Sequence, residues 1–259
     1  NYGPDRVHFE VFYNGSWCRA RKIKLPKRQM YKITTSNKKT IVVSDNHLNV
    51  TLRGNVQTKS LTTNDYLMFN ARPLEAAKDS DLHLTYEQGF AIGASLRDGS
   101  SGSDEKLGPQ IFLQSKEFRQ GILDGWSETD NGNSQRCYTL SPQLTEYAEA
   151  LMTSLGLCSI IDETGSSYCI RWYDPKDERL MGDVYKVVNK SMYFKIDSIE
   201  KVNYDDDIYC FEMENKDEPY FTLPNGIITH NCRLKNAITD NVFSYTLGAG
   251  GISTGSKAV

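Results

Sequence analysis

The sequence has no long apolar run, no apolar leader and little net charge. Its 259 residues have a mean hydropathy of −0.53, and no stretch is long and apolar enough for a membrane helix. The opening residues, Asn1 to Arg6, contain no signal-peptide core. The net charge of −3 and the pI near 5.9 do not indicate nucleic-acid binding. These absences predict a cytoplasmic protein without a membrane partner and with weak or no affinity for DNA.

Paired cysteines are also lacking. Six cysteines are scattered without any CxxC spacing, which argues against a zinc site, and the chain is too long for a small disulfide scaffold. They are Cys18, Cys137, Cys158, Cys169, Cys210 and Cys232. We interpret them as reduced thiols of a cytosolic protein. A hydrophobic content of 39% is enough for a packed core in one or two domains.

What the chain does have is a reactive tripeptide near its C-terminal end, His230-Asn231-Cys232. The side-chain nitrogen of an Asn can attack its own main-chain carbonyl, close a succinimide and cut the following peptide bond. A preceding His can assist the proton transfers, and a following Cys can hold an acyl group. Each residue also has a plainer explanation, since a turn His is often only solvated and a lone Cys is often a small buried hydrophobe.

The surroundings of the tripeptide favour the reactive interpretation. Ile208 to Glu214 alternates like a strand, and Pro219 to Phe221 begins a second short one. Pro224-Asn225-Gly226 is a turn signal, and Ile227 and Ile228 lead into the junction. The pattern predicts a hairpin that delivers the reactive residues to a fixed place.

Two segments resemble the splicing blocks of inteins. The stretch DIYCFEMENKDEPYFTLPNGIITHNC resembles the C-terminal blocks, and MYKITTSNKKTIVVSDNHLNV resembles the block that ends Thr-x-x-His, with Ser44 in place of the Thr. NVQTKSLTTNDYLMF is similar to the strand pair that follows. The resemblance implies a mainly β splicing domain with a horseshoe-like Hint fold, split by an inserted domain, and autocatalytic protein splicing without a cofactor.

The resemblance also implies roles for individual residues. Asn231 would cyclise with help from His230, and Cys232 would be the +1 acyl acceptor. His47 would activate the upstream scissile bond and protonate its leaving nitrogen, while Ser44 would orient that bond.

Two positions depart from the family pattern. Cys210 stands where many inteins carry Asp; it could tune proton transfer near the junction, or it could be a buried strand cysteine. In the C-terminal blocks of the family, a second His usually stands about ten residues before the terminal Asn, and here that position is Tyr220. Either His230 and Tyr220 share the role of this His, or the C-terminal step is slower.

The middle of the chain, 84 to about 185, is expected to be helical with loops. Gly89 to Gly99 resembles the first LAGLIDADG motif of homing endonucleases, with Asp98 as its acid. The second motif, Phe118 to Trp126, has an ambiguous register that makes either Asp124 or Trp126 the counterpart. The resemblance implies an α+β insert that would bind Mg²⁺ through Asp98 and Asp124 only if the endonuclease is active. A helix is expected after Ser141-Pro142, with an apolar face and Gly156 as its stop.

Charge and spacing indicate that the insert is degenerate. Between 89 and 185 there are eight Lys/Arg against fifteen Asp/Glu, and duplex binding depends on neutralising phosphates. The motifs are also too close together for a complete half-domain between them. A homing endonuclease that cuts a specific double-stranded site is therefore the alternative function, not the leading one. A domain that cleaves without ligating, or a mere reductase fragment, are weaker alternatives.

The predicted domains are 1–83 and 191–231 for the two splicing halves, 84–190 for the insert, and 232–259 for a C-extein. No Cys or Ser heads a first splicing block, so we expect an N-terminal intein fragment carrying the first Cys as partner, if the intein is split. The tail from Cys232 resembles anaerobic ribonucleoside-triphosphate reductase, which implies flanking reductase exteins and a bacterial or phage-encoded host gene.

Overall fold

The structure is a computed structural model that describes residues 8–70, 72–75, 84–97, 107–127, 135–174, 185–189, 191–214 and 219–230. The strands before the helices are β1 (His8–Tyr13), β2 (Ser16–Leu25), β3 (Met30–Thr35), β4 (Thr40–Ser44), β5 (Leu48–Thr51), β6 (Gly54–Gln57) and β7 (Tyr66–Phe69). Then follow α1 (Tyr86–Arg97), α2 (Lys116–Trp126), β8 (Arg136–Thr139), α3 (Pro142–Ser154), β9 (Cys158–Thr164) and β10 (Ser167–Tyr173). The remaining strands are β11 (Tyr185–Val188), β12 (Ser191–Val202), β13 (Ile208–Met213), β14 (Tyr220–Thr222) and β15 (Ile228–His230). Short 3₁₀ turns cover Thr58–Ser60 and Pro109–Leu113.

Two hairpins form near the start of the chain. β1 pairs with β2 across a two-residue turn in which Asn14 and Gly15 have φ angles of 53° and 89°. This is the backbone that a tight hairpin turn requires, and Asn-Gly adopts it readily. β3 pairs with β4 across the connection from Ser36 to Lys39, and its Met30, Ile33 and Thr35 face inward.

One large antiparallel sheet brings the two ends of the chain together. Its strand order is β13-β2-β1-β14-β15-β5-β7-β12-β3-β4, with β11 on β12 and β6 on β5. The C-terminal strands β14 and β15 therefore lie between β1 and β5, which come from the first fifty-one residues. The apolar faces enclose a core that includes Phe69, Phe194, Phe211 and Phe221.

Strand β12 shows where the helical segment is inserted. Its first part pairs with β7, so that Met192 lies opposite Phe69, and its second part pairs with β3 after a bulge between Ile196 and Ser198. The chain thus leaves the sheet at β7 and returns beside it. β11 already pairs with β12, so the large sheet resumes at Tyr185, six residues before the boundary predicted at 191.

The inserted segment is not only helical. α1 packs against α2, and a three-stranded antiparallel sheet, in the order β8-β10-β9, joins them with α3. α3 begins as predicted, because the Ser141 hydroxyl accepts a hydrogen bond from the Leu144 amide and Pro142 follows. It stops before Gly156, whose φ is +75°. The resemblance implied an α+β insert, but the positions of these three strands were not predicted from the residue pattern.

No helix in the described ranges is long and apolar enough to cross a membrane.

Candidate functional site

The hairpin formed by β14 and β15 carries the predicted junction residues. Tyr220 lies opposite His230, Phe221 opposite Thr229, and Thr222 opposite Ile228. Its turn is closed by hydrogen bonds from the Gly226 amide to the Leu223 carbonyl, and from the Leu223 amide to the Ile227 carbonyl, each 2.9 Å long. The predicted delivery hairpin is therefore present, and it ends at His230.

Hydrogen bonds to the main-chain amide and carbonyl of His47 hold this residue in place. The His47 amide donates to the Ser44 carbonyl at 3.1 Å, so Ser44 to His47 forms a turn at the end of β4. The His47 carbonyl accepts from the Thr58 amide at 2.9 Å and from the Asn49 side-chain amide at 3.3 Å. Asn49 also bonds the Thr58 hydroxyl at 3.0 Å. These contacts fix the position from which the imidazole projects.

The imidazole of His47 reaches the strand that leads to the junction. Its Nε2 lies 2.9 Å from the hydroxyl of Thr229, although the two residues are 182 positions apart in the chain. Thr229 also lies opposite Asn49 in the pairing of β15 with β5. The two predicted halves of the site therefore meet at this contact.

Burial controls the charge of His47. The residue is 1% exposed, and desolvation, with a smaller electrostatic contribution from the neighbouring His230, lowers its pKa from 6.5 to about 3. The imidazole is therefore neutral at pH 7. Within the described residues its Nδ1 is buried without a hydrogen-bond partner, which is unusual for a ring nitrogen in a folded interior.

His230 stands against an aromatic neighbour. The rings of Tyr220 and His230 meet edge to face with centroids 5.2 Å apart. The Tyr220 hydroxyl lies 3.2 Å from the Asn55 side-chain amide, which donates to it. The residue that replaces the family's usual His thus lies directly beside His230.

Ser44 and Cys210 occupy different surroundings. Ser44 is fully buried and its hydroxyl donates to the Asn46 side-chain oxygen at 3.1 Å. Cys210 is buried in β13, within the core of the large sheet, and its sulfur lies 3.4 Å from the Phe211 carbonyl oxygen. The orienting role of Ser44 and the tuning role of Cys210 stay predictions. Asn231 and Cys232 lie outside the described residues.

Sequence comparison identifies the family. Residues 14–231 match the model of the intein splicing domain. The chain belongs to the intein splicing domain family. Among solved structures, a mutant of the Ssp DnaB mini-intein is similar over 88% of this chain and 84% of that chain, with 9% identity and a TM-score of 0.37. No match to a curated protein sequence was found.

Two residues of this intein site were missed by sequence reasoning. Thr229 and Asn49 are 1% and 3% exposed, and each follows an apolar residue in a short strand. A polar residue beside apolar neighbours was the available signal. A pattern of this kind cannot say which partner satisfies the Thr229 hydroxyl, because His47 is 182 positions away in the intein chain.

The helix pair of the insert is built on close backbone contact. A side chain on Gly89 or Gly93 would meet the backbone of α2, and one on Gly121 or Gly125 would meet the backbone of α1. The contacts are reciprocal: Gly93 faces Ile122 and Trp126, and Gly125 faces Phe90 and Ala94. The same contacts recur in both helices at a constant offset in sequence. Gly89 in α1 is therefore equivalent to Gly121 in α2, and Gly93 is equivalent to Gly125.

This offset differs from both sequence-based alternatives for the register. It makes Asp124 equivalent to Ile92 and Trp126 equivalent to Ala94, and the same offset counted along the sequence leads from Asp98 to Asp130. Which residue is the counterpart of Asp98 stays a prediction. Asp98 and Asp130 lie outside the described residues.

Both carboxylate oxygens of Asp124 accept hydrogen bonds from protein donors. One accepts from the Tyr86 hydroxyl of α1 at 2.9 Å, and the other accepts from the Gln120 side chain of α2 at 2.8 Å. Asp124 therefore links the two helices through Tyr86. Each oxygen keeps a further lone pair, and the metal-binding role of Asp124 stays a prediction.

Proposed function

We propose that this intein cleaves the peptide bond between Asn231 and Cys232 by cyclisation of Asn231. The side-chain nitrogen of Asn231 attacks its own main-chain carbonyl carbon, a succinimide forms, and the bond to the Cys232 nitrogen breaks. The departing nitrogen gains a proton and becomes the new amino terminus. His230 lies one residue away and would move the proton.

The observation that carries the proposal is the contact between His47 and Thr229. This contact places His47, which would activate the upstream scissile bond, against β15, the strand that precedes the proposed downstream junction. Splicing requires this proximity, because the acyl group at the upstream bond must be captured at the downstream junction. The family match ends at Asn231, which also agrees with a junction after this residue.

For the upstream step we propose that neutral His47 works through Nδ1. This nitrogen would take the proton of the attacking thiol and return it to the peptide nitrogen as that nitrogen leaves. Nε2 must then carry the ring hydrogen and donate it to the Thr229 hydroxyl, at 2.9 Å. A pKa of about 3 keeps the ring unprotonated beforehand, so that Nδ1 can accept.

Complete splicing needs a Cys or Ser at the upstream junction. We propose that an N-terminal intein segment, in the same precursor or on a separate polypeptide, supplies the Cys, and that Cys232 captures the acyl group in transit. The reductase-like tail from Cys232 onward supports a ribonucleotide reductase as the host. The reciprocal glycine contacts of α1 and α2 support descent of the insert from a LAGLIDADG endonuclease, and its acidic charge supports loss of DNA cutting.

The test uses the chain of 259 residues. Incubation should release the peptide that begins at Cys232, and mass spectrometry should find the larger fragment one water lighter than its free acid, as a succinimide requires. Asn231→Ala should abolish both products, because no side-chain amide remains. Cleavage that persists in Asn231→Ala would refute the assignment. Cys232→Ala is the matched control, since it keeps the Asn231 side-chain amide and should still permit cyclisation and release of the downstream peptide.

A further inference from the structure

The end of α3 contacts the turn that precedes the junction strand. The Thr153 hydroxyl, on a residue 5% exposed, donates to the Pro224 carbonyl at 2.9 Å. Gly226, on the other side of the turn, has a φ of +89°, and a Cβ there would lie 3.4 Å from the Thr153 hydroxyl oxygen. The inserted segment therefore packs directly on the turn between β14 and β15.

Asn70, directly after β7, forms hydrogen bonds with both the turn and α3. Its main-chain amide donates to the Gly226 carbonyl at 2.9 Å, and its side-chain amide donates to the Thr153 carbonyl at 3.3 Å. This side chain is 4% exposed, so these bonds form away from solvent, where their loss is most costly. The turn, α3 and the exit from the splicing sheet thus share one buried hydrogen-bond network.

A buried ion pair adds a second attachment of α3. The Lys39 ammonium pairs with the Glu149 carboxylate, and their side chains are 3% and 18% exposed. Lys39 lies just before β4, and the next residue, Thr40, accepts a hydrogen bond through its carbonyl from the Asn225 side chain at 2.8 Å. The turn between β14 and β15 is therefore hydrogen-bonded both to α3, through Pro224, and to the start of β4, through Asn225.

The last turn of α3 is itself fixed. The fully buried guanidinium of Arg119, on α2, donates to the Ser154 carbonyl at 2.7 Å and also to the Leu74 carbonyl. The Leu74 amide donates to the Ser154 carbonyl at 2.7 Å. Phe12, of β1, belongs to the same hydrophobic core as the helices of the insert. The insert and the splicing domain are packed as one body at this interface.

The junction strand is held on its two sides to different extents. β15 spans only Ile228 to His230; it pairs with β14 along its whole length, whereas its pairing with β5 consists of Thr229 opposite Asn49. Because β14 and β15 are joined by the turn, the geometry of the turn is one of the constraints on the direction of β15. Cyclisation is sensitive to direction, because the attacking amide must meet the carbonyl carbon at the right distance and angle, and small displacements in such reactions change rates strongly.

We infer that the insert is a working part of the splicing centre, and that Thr153 is a positioning residue for the C-terminal step. The Thr153 hydroxyl holds the Pro224 carbonyl, the turn helps to set the path of β15, and β15 ends at His230, the residue that precedes Asn231 in the sequence. The endonuclease-like segment has thus become a support for the downstream junction. This inference rests on the proposed cleavage after Asn231.

The experiment compares three variants of the whole chain by the rate at which the peptide beginning at Cys232 appears. Thr153→Val keeps the shape and removes the hydroxyl, and we expect it to slow release about fivefold or more. Thr153→Ser keeps the hydroxyl and should restore most of the rate. Thr145→Val is the matched control, because Thr145 is also buried on α3 but, among the described residues, its hydroxyl donates to the Pro142 carbonyl of its own helix at 2.5 Å.

A second readout separates positioning from simple loss of stability. In the uncleavable Asn231→Ala chain, Thr153→Val should shift the ring resonances of His230 in NMR spectra, and Thr145→Val should leave them in place. Equal rates for wild type and Thr153→Val, or equal slowing by Thr145→Val, would overturn the inference. If the wild-type chain releases no peptide, the proposed cleavage fails, and the His230 resonances still decide whether Thr153 positions the strand.

Discussion

Protonation of His47 should destabilise the folded protein as the pH falls. The ring is 1% exposed and its pKa is lowered from 6.5 to about 3, mainly by desolvation. The unfolded chain takes up this proton near pH 6.5, whereas the folded chain resists it until about pH 3. The folded state therefore loses relative stability throughout that window, at about 1.4 kcal/mol per pH unit.

The assay is urea unfolding of the uncleavable Asn231→Ala chain, with and without His47→Gln, at pH 7 and pH 5. His47→Gln removes the titrating group and keeps a side-chain amide near Thr229. Between pH 7 and pH 5 the parent should lose roughly 2 kcal/mol more of its free energy of unfolding than the His47→Gln chain. All other titrating groups are common to both proteins and cancel in the difference. Parallel pH dependences would refute the buried, neutral state of His47.

Three further predictions concern the contacts that hold the site and the insert. Thr229→Val should change the ring ¹⁵N shifts of His47, because Nε2 loses its partner; unchanged shifts at pH 7 would contradict the proposed tautomer. Gly125→Val should lower the free energy of unfolding by about 3 kcal/mol or more in urea titrations, since the new side chain would meet the backbone of α1; a loss below about 1 kcal/mol would contradict the close contact. Arg119→Met should cost roughly 2–4 kcal/mol in the same assay, because the Leu74 carbonyl and the Ser154 carbonyl, which keeps its bond from the Leu74 amide, both lose a charged donor; an unchanged midpoint would show that the guanidinium does not stabilise this interface.

The strands around the junction could be predicted because their signals are local. Alternation from Ile208 to Glu214, the Asn14-Gly15 turn and the break at Pro224 to Gly226 each report on neighbours within a few residues. The start of α3 at Ser141-Pro142 is local in the same way. β9 and β10 escaped prediction, although they form a hairpin, because the expectation of a helical insert outweighed the β-branched and aromatic residues along Ser167–Tyr173.

The contacts of the site could not be predicted, because they join residues far apart in the chain. Nothing near His47 indicates that its partner is Thr229, since that contact exists only after β15 has inserted beside β5. The register of α1 against α2 is a similar case. Several glycine alignments satisfy the sequence pattern, and only close backbone packing selects one of them.

The sequence by itself determined which chemical groups this intein carries at its downstream junction and the short strands that lead to them, because side-chain identity and hairpin signals are local properties. Tertiary structure alone decided that His47 is buried and neutral, that it meets the junction strand, and that α3 of the insert holds the preceding turn. Burial and the meeting of distant strands depend on how the whole chain packs, and desolvation, which controls the proton affinity of His47, exists only in the packed state.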